Sequence, residues 1–279
     1  MLEALNRRFE INHPGIHFDL VLKGTRTAPA ALADGSSLFA PMGAEFSASE
    51  LAAYEHATGA RPLKFRVAHA ALDPRARSSP LAIYVHRDNP LAVISLRQLR
   101  HIFASPRSIQ RWSQLGLKGE WATRPIHPCG LAASTALGTY FTKRVLAGKP
   151  YAPGYLGLPE SALAVHQAAA DADALCVGDL NQVNDAVRVV AIALPGRGTS
   201  SGSYDDIVSG RYPLDRTLYI YTRSDHDLRT DALLCKYLPL LWSADGQAIL
   251  AAAAPHYLPL SRAERASERG RLKQLHCGF

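Results

Sequence analysis

Hydrophobic and polar positions along the chain follow two periods, one typical of helices and one typical of strands. Leu2, Leu5 and Phe9 recur at helical spacing, and Leu96, Leu99 and Phe103 do so behind a potential Ser95 cap. Between such segments stand runs that are typical of strands, among them IHFDLVL (16–22), LAIYV (81–85) and TLYIYT (217–222). This alternation predicts an α/β protein.

The stretch VLKGTRTAPAALADGS (21–36) places hydroxyls and a cation where a strand leads into a helix. In one interpretation Thr27 caps the helix, Pro29 lies in its first turn and Gly35 ends it. In the other, the helix start binds an anion, because free N–H groups, hydroxyls and an arginine are all suited to hold one. The stretch by itself favours capping, and both interpretations stay open.

Composition narrows the class of protein. With 279 residues, 47% hydrophobic and 20% charged, the chain is long enough for two compact lobes. No apolar run approaches the length of a membrane span. The net charge of +7 indicates anionic partners only weakly, because the arginines are interspersed with acids, and we expect no nucleic-acid partner.

The cysteines and the N-terminal residues indicate in which cellular compartment the protein functions. Cys129, Cys176, Cys235 and Cys277 are far apart, with no spacing typical of a metal site. They allow zero, one or two disulfides, and we expect free thiols. The chain begins in a helical pattern without a signal peptide, so it is either cytoplasmic or starts downstream of the natural beginning.

Four segments, in this order, carry a resemblance to a known family: VHRDNPLAVISLRQLRHIF, WSQLG, GRYPLDRTLYIYT and WSADGQAIL followed by HYLPLS. Over roughly residues 3–265 the chain resembles the phosphate-binding type of periplasmic solute-binding protein. The resemblance implies a two-lobe type II periplasmic-binding-protein-like fold with mixed sheets and an inter-lobe cleft. It also implies a monomer that carries inorganic phosphate or a similar oxyanion to an ABC transporter permease, without cofactor or metal.

The resemblance assigns the lobes. Lobe one is expected from residues 1–80 plus 215–279, and lobe two from residues 81–214. The crossovers are expected near 68–85 and 211–221, which are extended segments in the sequence.

The resemblance also assigns the ligand-binding residues. Thr25, Arg26 and Thr27 are expected from lobe one, and Ser134 and Thr135, at the start of a helix that should end at Gly148, from lobe two. Chemistry supports this choice, because a buried oxyanion needs several donors and helix starts, hydroxyls and guanidinium groups supply them. Capping alone remains the alternative for Ser134 and Thr135.

The chain departs from the family pattern at several positions. Leu131 stands near the expected arginine, Ala136 replaces a threonine, and Glu45 occupies a loop where arginine or aspartate is usual. The first strand and loop of the family are also absent, which should leave an exposed edge beside residues 16–22, lower the stability and weaken the binding. A degenerate binding-protein fold that acts as an interaction or sensing module is therefore the alternative function.

An enzyme finds little support in the sequence. His69, Asp73 and His86 are close along the chain, but no nucleophile motif, carboxylate pair or phosphate loop accompanies them. We therefore expect a binding protein, periplasmic or extracellular by resemblance, without catalytic residues.

Overall fold

The computed structural model describes residues 1–21, 27–76, 78–225 and 228–272. The chain divides into two compact units. Unit 1 combines Met1–Ala71 with Arg216–Phe279, and unit 2 is formed by Leu72–Asp215.

The helices, numbered along the chain, are α1 (Leu2–Asn12), α2 (Ala28–Ala33), α3 (Ala48–Thr58), α4 (Leu96–Phe103), α5 (Ala136–Arg144), α6 (Ser161–Ala170), α7 (Tyr204–Val208), α8 (Leu228–Leu241), α9 (Ala244–Ala252) and α10 (Arg262–Arg271). None of these described helices has both the length and the apolar composition needed to cross a bilayer.

The strands are β1 (Ala40–Met42), β2 (Leu63–Ala71), β3 (Leu81–His86), β4 (Val93–Ser95), β5 (His127–Leu131), β6 (Leu156–Leu158), β7 (Ala174–Asp179), β8 (Val187–Val189), β9 (Ala191–Leu194), β10 (Gly198–Ser200), β11 (Thr217–Thr222) and β12 (Tyr257–Leu258). Short 3-10 turns lie at Trp112–Leu115, Gly119–Ala122 and Leu180–Gln182.

Unit 1 is built on a four-stranded antiparallel sheet in the order β1-β11-β2-β12. Its core includes Leu5 and Phe9 of α1, Phe65 of β2, and Trp242 between α8 and α9. The Trp242 indole donates a hydrogen bond to the backbone carbonyl of Arg66 at 2.7 Å, so this ring satisfies its polar atom while it fills the core.

The segment of residues 16–21 is not a strand, contrary to the sequence pattern. Ile16, Phe18 and Leu20 are half-buried and the residues between them are exposed, as in a strand. Within the described ranges, however, no strand pairs with it, and the Phe18 amide donates instead to the carboxylate of Glu10. The period of two therefore reports which side chains reach the core, whereas a strand also needs a partner for its backbone.

Unit 2 contains two mixed sheets. The larger has the order β6-β5-β7-β3-β8, and the smaller has the order β10-β9-β4. Strands β8 and β9 belong to different sheets although the residues AVRVVAIAL read as one apolar run. Val190 separates them, is fully buried, and donates its backbone N–H to Ile83 in β3. One residue thus moves the chain from one sheet to the next.

A disulfide joins Cys129 to Cys176, so the expectation of free thiols is wrong for this pair. The two residues face each other on the parallel strands β5 and β7, with their Cα atoms 4.4 Å apart. Strand register brings together cysteines that are 47 residues apart in sequence, which their spacing could not reveal. Cys235 is disulfide-bonded as well, and Cys277 lies outside the described residues.

Helix α10 is attached to β2 through charged groups. Arg66 binds Glu264 at 2.9 Å and the buried Glu268 at 2.6 Å, while the buried His69 lies 3.0 Å from Glu264. Burial by itself would raise the pKa of the Glu264 carboxyl, but the hydrogen bond and charge of His69, together with hydrogen bonds from Ser261, lower it to about 2. The ionised form of Glu264 is therefore the one that holds α10.

We predict an acid-sensitive contribution of Glu264 to stability. The folded pKa of about 2 lies below the ordinary value of 4.5, so the carboxylate stabilises the fold fully above pH 4.5. This stabilisation of up to about 3 kcal/mol is lost as the pH falls from 4.5 to about 2. Chemical unfolding at pH 7, 5, 4 and 3 should show a smaller loss of stability with acid for Glu264→Gln than for the wild type.

Glu120→Gln is the matched control, because Glu120 is exposed and its carboxylate has no partner among the described residues. This variant should follow the wild-type pH profile. Parallel profiles for the wild type and Glu264→Gln would contradict the assignment.

The disulfide yields a second prediction. Closing a loop of 47 residues limits the unfolded chain and should stabilise unit 2 by about 2–4 kcal/mol. Peptide mapping after denaturation without reductant should find Cys129 and Cys176 linked and unlabelled by a maleimide. The double variant Cys129→Ala/Cys176→Ala should melt at a lower temperature. Labelling of both thiols without reductant would refute the pairing.

Candidate functional site

The loop between β5 and α5 carries two of the residues proposed from the sequence. Thr135 occupies the N-cap position of α5, where its hydroxyl accepts a hydrogen bond from the Gly138 amide at 2.9 Å. The same hydroxyl donates to the Ala132 carbonyl at 2.8 Å. The Thr135 hydroxyl thus uses both its donor and its acceptor capacity within the loop, as the capping interpretation predicts.

Ser134 differs from its neighbour. It is exposed, and its hydroxyl forms no hydrogen bond with any residue that the structure describes. The amides of Ala136 and Leu137, in the first turn of α5, likewise have no acceptor within the described chain, as expected at a helix start. One hydroxyl and two amides therefore stand available at the positive end of a nine-residue helix, which is the arrangement that binds anions.

Close packing holds this loop in place. A Cβ atom at Gly138 would lie 2.0 Å from the Ala132 carbonyl oxygen, so only glycine lets the loop approach the helix. The Tyr155 hydroxyl donates to the Leu131 carbonyl at 2.8 Å, and its ring stacks on Tyr151. Burial raises the pKa of Tyr155, so its hydroxyl stays protonated and keeps donating.

Leu131 ends strand β5 and is 3% exposed. The sequence resemblance places the family's arginine near this position. A buried apolar side chain offers no hydrogen-bond donor and no charge, so Leu131 cannot take the role of that arginine.

The capping interpretation of Thr27 is wrong in one respect. Thr27 does precede α2, but its backbone is helical and its side chain makes no capping hydrogen bond, since capping hydroxyls normally require an extended backbone. Pro29 in the first turn and Gly35 beyond the end, with φ of +78°, agree with the sequence. Thr25 and Arg26 lie outside the described residues.

The loop after β1 contains Glu45, where the family usually has arginine or aspartate. Glu45 forms an ion pair with Lys64 at 2.5 Å. The neighbouring carbonyl of Gly43 accepts a hydrogen bond at 3.0 Å from Arg216, which is buried. The sequence pattern did not predict this buried arginine. The signal in the sequence was its position as a single arginine directly before the apolar run of β11.

The α5 helix also ends earlier than expected, at Arg144 rather than Gly148. Ala147 and Gly148 both have positive φ, of 55° and 79°, and a helix cannot continue through such residues. The Gly148 amide donates back to the Thr142 carbonyl and closes the last turn.

The histidines that the sequence analysis weighed as catalytic have structural partners. His69 lies beside Glu264, and His86 accepts a hydrogen bond from the Asp88 amide at 3.2 Å. Asp73 pairs with Arg75.

One group of side chains has the composition of a metal site. The ligand atoms of His127, Asp171 and Asp173 all lie within 4.8 Å of one another. His127 is already bonded to Asp171, and Asp173 is bonded to Arg124 at 2.6 Å. A metal ion would have to displace the guanidinium group.

The α/β architecture with mixed sheets is that of the type II periplasmic-binding-protein-like fold. The structure matches PstS from Borrelia burgdorferi with a TM-score of 0.63 at 14% identity, over 93% of this chain and 94% of that one. It matches an ABC-type phosphate transport receptor from Vibrio cholerae with a TM-score of 0.61 at 17% identity, over 92% and 94%. These likenesses confirm the fold class predicted from the sequence.

Sequence comparison defines the family. The profile described as the PBP superfamily domain matches residues 1–239, and the chain belongs to this family. The phosphate-binding protein PstS of Pseudomonas aeruginosa is 28% identical over 261 residues, which cover 91% of this chain and 78% of the relative.

We predict that Gly138 is required for the loop that carries Ser134. In Gly138→Ala the new methyl group would collide with the Ala132 carbonyl, so the loop must shift, and unfolding should become easier by about 1–3 kcal/mol. Gly270→Ala is the control, because a Cβ there meets nothing within 4 Å. Thermal melting should separate the two variants, and equal melting temperatures would contradict the packing described here.

Proposed function

We propose that this protein is an extracytoplasmic receptor that binds a small tetrahedral oxyanion, phosphate first, and delivers it to an ABC transporter permease. Membership of the PBP superfamily supports the class of activity. The choice of ligand is supported by the sequence relative PstS, named a phosphate-binding protein, and by a Clostridium perfringens structure described as holding bound phosphate, with a TM-score of 0.54.

The observation that carries the proposal is the start of α5. The Ser134 hydroxyl and the amides of Ala136 and Leu137 provide donors that no described residue uses. Helix-end amides can hold an anion without a full opposite charge, because the helix dipole adds to their hydrogen bonds. Unit 2 would contact the ligand through Ser134 and through the first turn of α5, which begins after Thr135.

From unit 1, the same proposal assigns Thr25, Arg26 and Thr27 to the ligand. Thr27 is exposed and directly precedes α2. A guanidinium at position 26 would be the cation that Leu131 does not provide. Units 1 and 2 correspond in this proposal to the two ligand-binding lobes.

Affinity should be below the usual level for such receptors. Each lost hydrogen bond from a charged donor to a buried anion weakens binding by about 1.5–3 kcal/mol, or about one to two decades in Kd. Leu131 in place of an arginine removes one such donor, and Glu45, an acid paired with Lys64, adds none.

An extracytoplasmic location accords with the cysteine chemistry. The disulfide between Cys129 and Cys176, together with the disulfide-bonded Cys235, is typical of oxidising compartments. We propose a monomeric binding protein without catalytic activity, cofactor or nucleic-acid partner.

Calorimetric titration with phosphate, sulfate and methylphosphonate tests the assignment. Phosphate should bind, and Ser134→Ala and Thr27→Ala should each raise its Kd about tenfold or more, because each removes a hydroxyl donor. Ser113→Ala is the matched control, since Ser113 is also an exposed unit 2 serine without a side-chain partner in the described chain, and its Kd should stay unchanged.

Absence of binding by all three anions at millimolar concentration would refute the phosphate assignment. The alternative function, a binding-protein fold that acts as an interaction or sensing module, would then take its place. Buried Leu131 and the Glu45–Lys64 pair are the observations that favour this alternative.

A further inference from the structure

The positive charge of the protein is concentrated in one segment, contrary to the expectation that the arginines are interspersed with acids. Residues 89–159 contain nine of the 31 Lys and Arg residues but only one of the 24 acids, Glu120. This segment therefore carries a charge of +8, and the remainder of the chain together carries −1. The whole of this segment lies in unit 2, so its charge adds to the potential around that unit.

The segment is contiguous in unit 2. Arg100 at the end of α4 donates to the Val145 carbonyl, just beyond α5, at 2.8 Å. The Ser105 amide donates to the Pro150 carbonyl at 3.0 Å, and a β-bridge joins Ala104 to Tyr151. The ends of α4 and α5 thus meet at the 145–152 loop. We call the exposed and half-buried cations of residues 97–149 the basic surface.

Several of these cations are oriented but not neutralised. Four guanidinium groups donate to backbone carbonyls, those of Arg100, Arg107, Arg111 and Arg144. A carbonyl fixes the direction of the side chain and leaves its positive charge in place. By contrast, Arg124 is bonded to the carboxylate of Asp173.

Other cations on this surface form no hydrogen bond or ion pair within the described residues and can contact a partner. Arg97, Lys118 and Lys149 are exposed, and their side chains have no partner within the described residues. Within the segment 89–159, all of which is described, Val93 and Leu156 are exposed large hydrophobic side chains, and no other large hydrophobic residue of the segment is exposed. Contact with the cations of residues 97–149 would therefore be mainly electrostatic.

We propose that the basic surface is a docking site for an acidic protein surface. Guanidinium groups held in fixed directions suit carboxylates at fixed positions, which a folded partner provides and a fluid lipid surface does not. A depression of about 480 Å³, lined in part by Ala133 and Thr139, gives room for a side chain of the partner next to α5. The inference does not depend on phosphate binding.

The test uses the full chain and a fluorescein-labelled peptide of fifteen glutamates as the acidic probe. The triple variant Arg97→Glu/Lys118→Glu/Lys149→Glu should weaken binding, measured by anisotropy at low salt, at least tenfold. The control Arg7→Glu/Arg87→Glu/Arg197→Glu changes the net charge equally with exposed residues outside the segment, and should change binding less than twofold. Both variants should keep the wild-type melting temperature.

Three results would overturn the proposal. Equal weakening by the two triple variants would show that net charge alone governs binding. If the variant Arg97→Glu/Lys118→Glu/Lys149→Glu loses binding to vesicles containing phosphatidylglycerol while its peptide binding is unchanged, the basic surface binds lipid instead. If the same variant associates with phosphate more slowly while its peptide binding is unchanged, the basic surface steers the small anion. Because peptide binding is measured without phosphate, failure here is distinguishable from failure of phosphate binding.

Discussion

Strands β2 and β11 pair antiparallel through six register positions although about 150 residues separate them in sequence. This pairing joins the first and last parts of the chain into one sheet, and the rest of unit 1 packs on it. The Ala70 amide donates to the Arg216 carbonyl directly where the chain leaves and re-enters unit 1. Unit 2 can therefore be an insertion whose two ends are held together by a strand pair.

A similar long-range constraint shapes the candidate site in unit 2. Strands β5 and β7 are parallel neighbours linked by the Cys129–Cys176 disulfide, and β5 leads into the loop that carries Ser134. Gly138 and Tyr155 then hold that loop against α5 and against β5. The donors at the start of α5 are thus preorganised, which would lower the entropy lost on the proposed binding of an anion.

Charge serves two separate purposes in this picture. In the proposed function, binding of a small oxyanion relies on helix-end amides and hydroxyls, so the site would need little net charge of its own. The proposed basic surface, by contrast, contains guanidinium groups that backbone carbonyls hold in fixed directions. Its charge imbalance was readable in the sequence, but a count over the whole chain averaged it away, because the remainder carries −1.

The sequence by itself determined the features that depend on neighbouring residues. These are the α/β class and the capped start of α4 at Ser95, since capping needs only three or four residues. The family resemblance was likewise readable from ordered local motifs. Tertiary structure decided what requires partners from distant parts of the chain. It left residues 16–21 without a strand, divided an apolar run at Val190, and paired Cys129 with Cys176, because backbone pairing and sheet register arise only when remote segments meet.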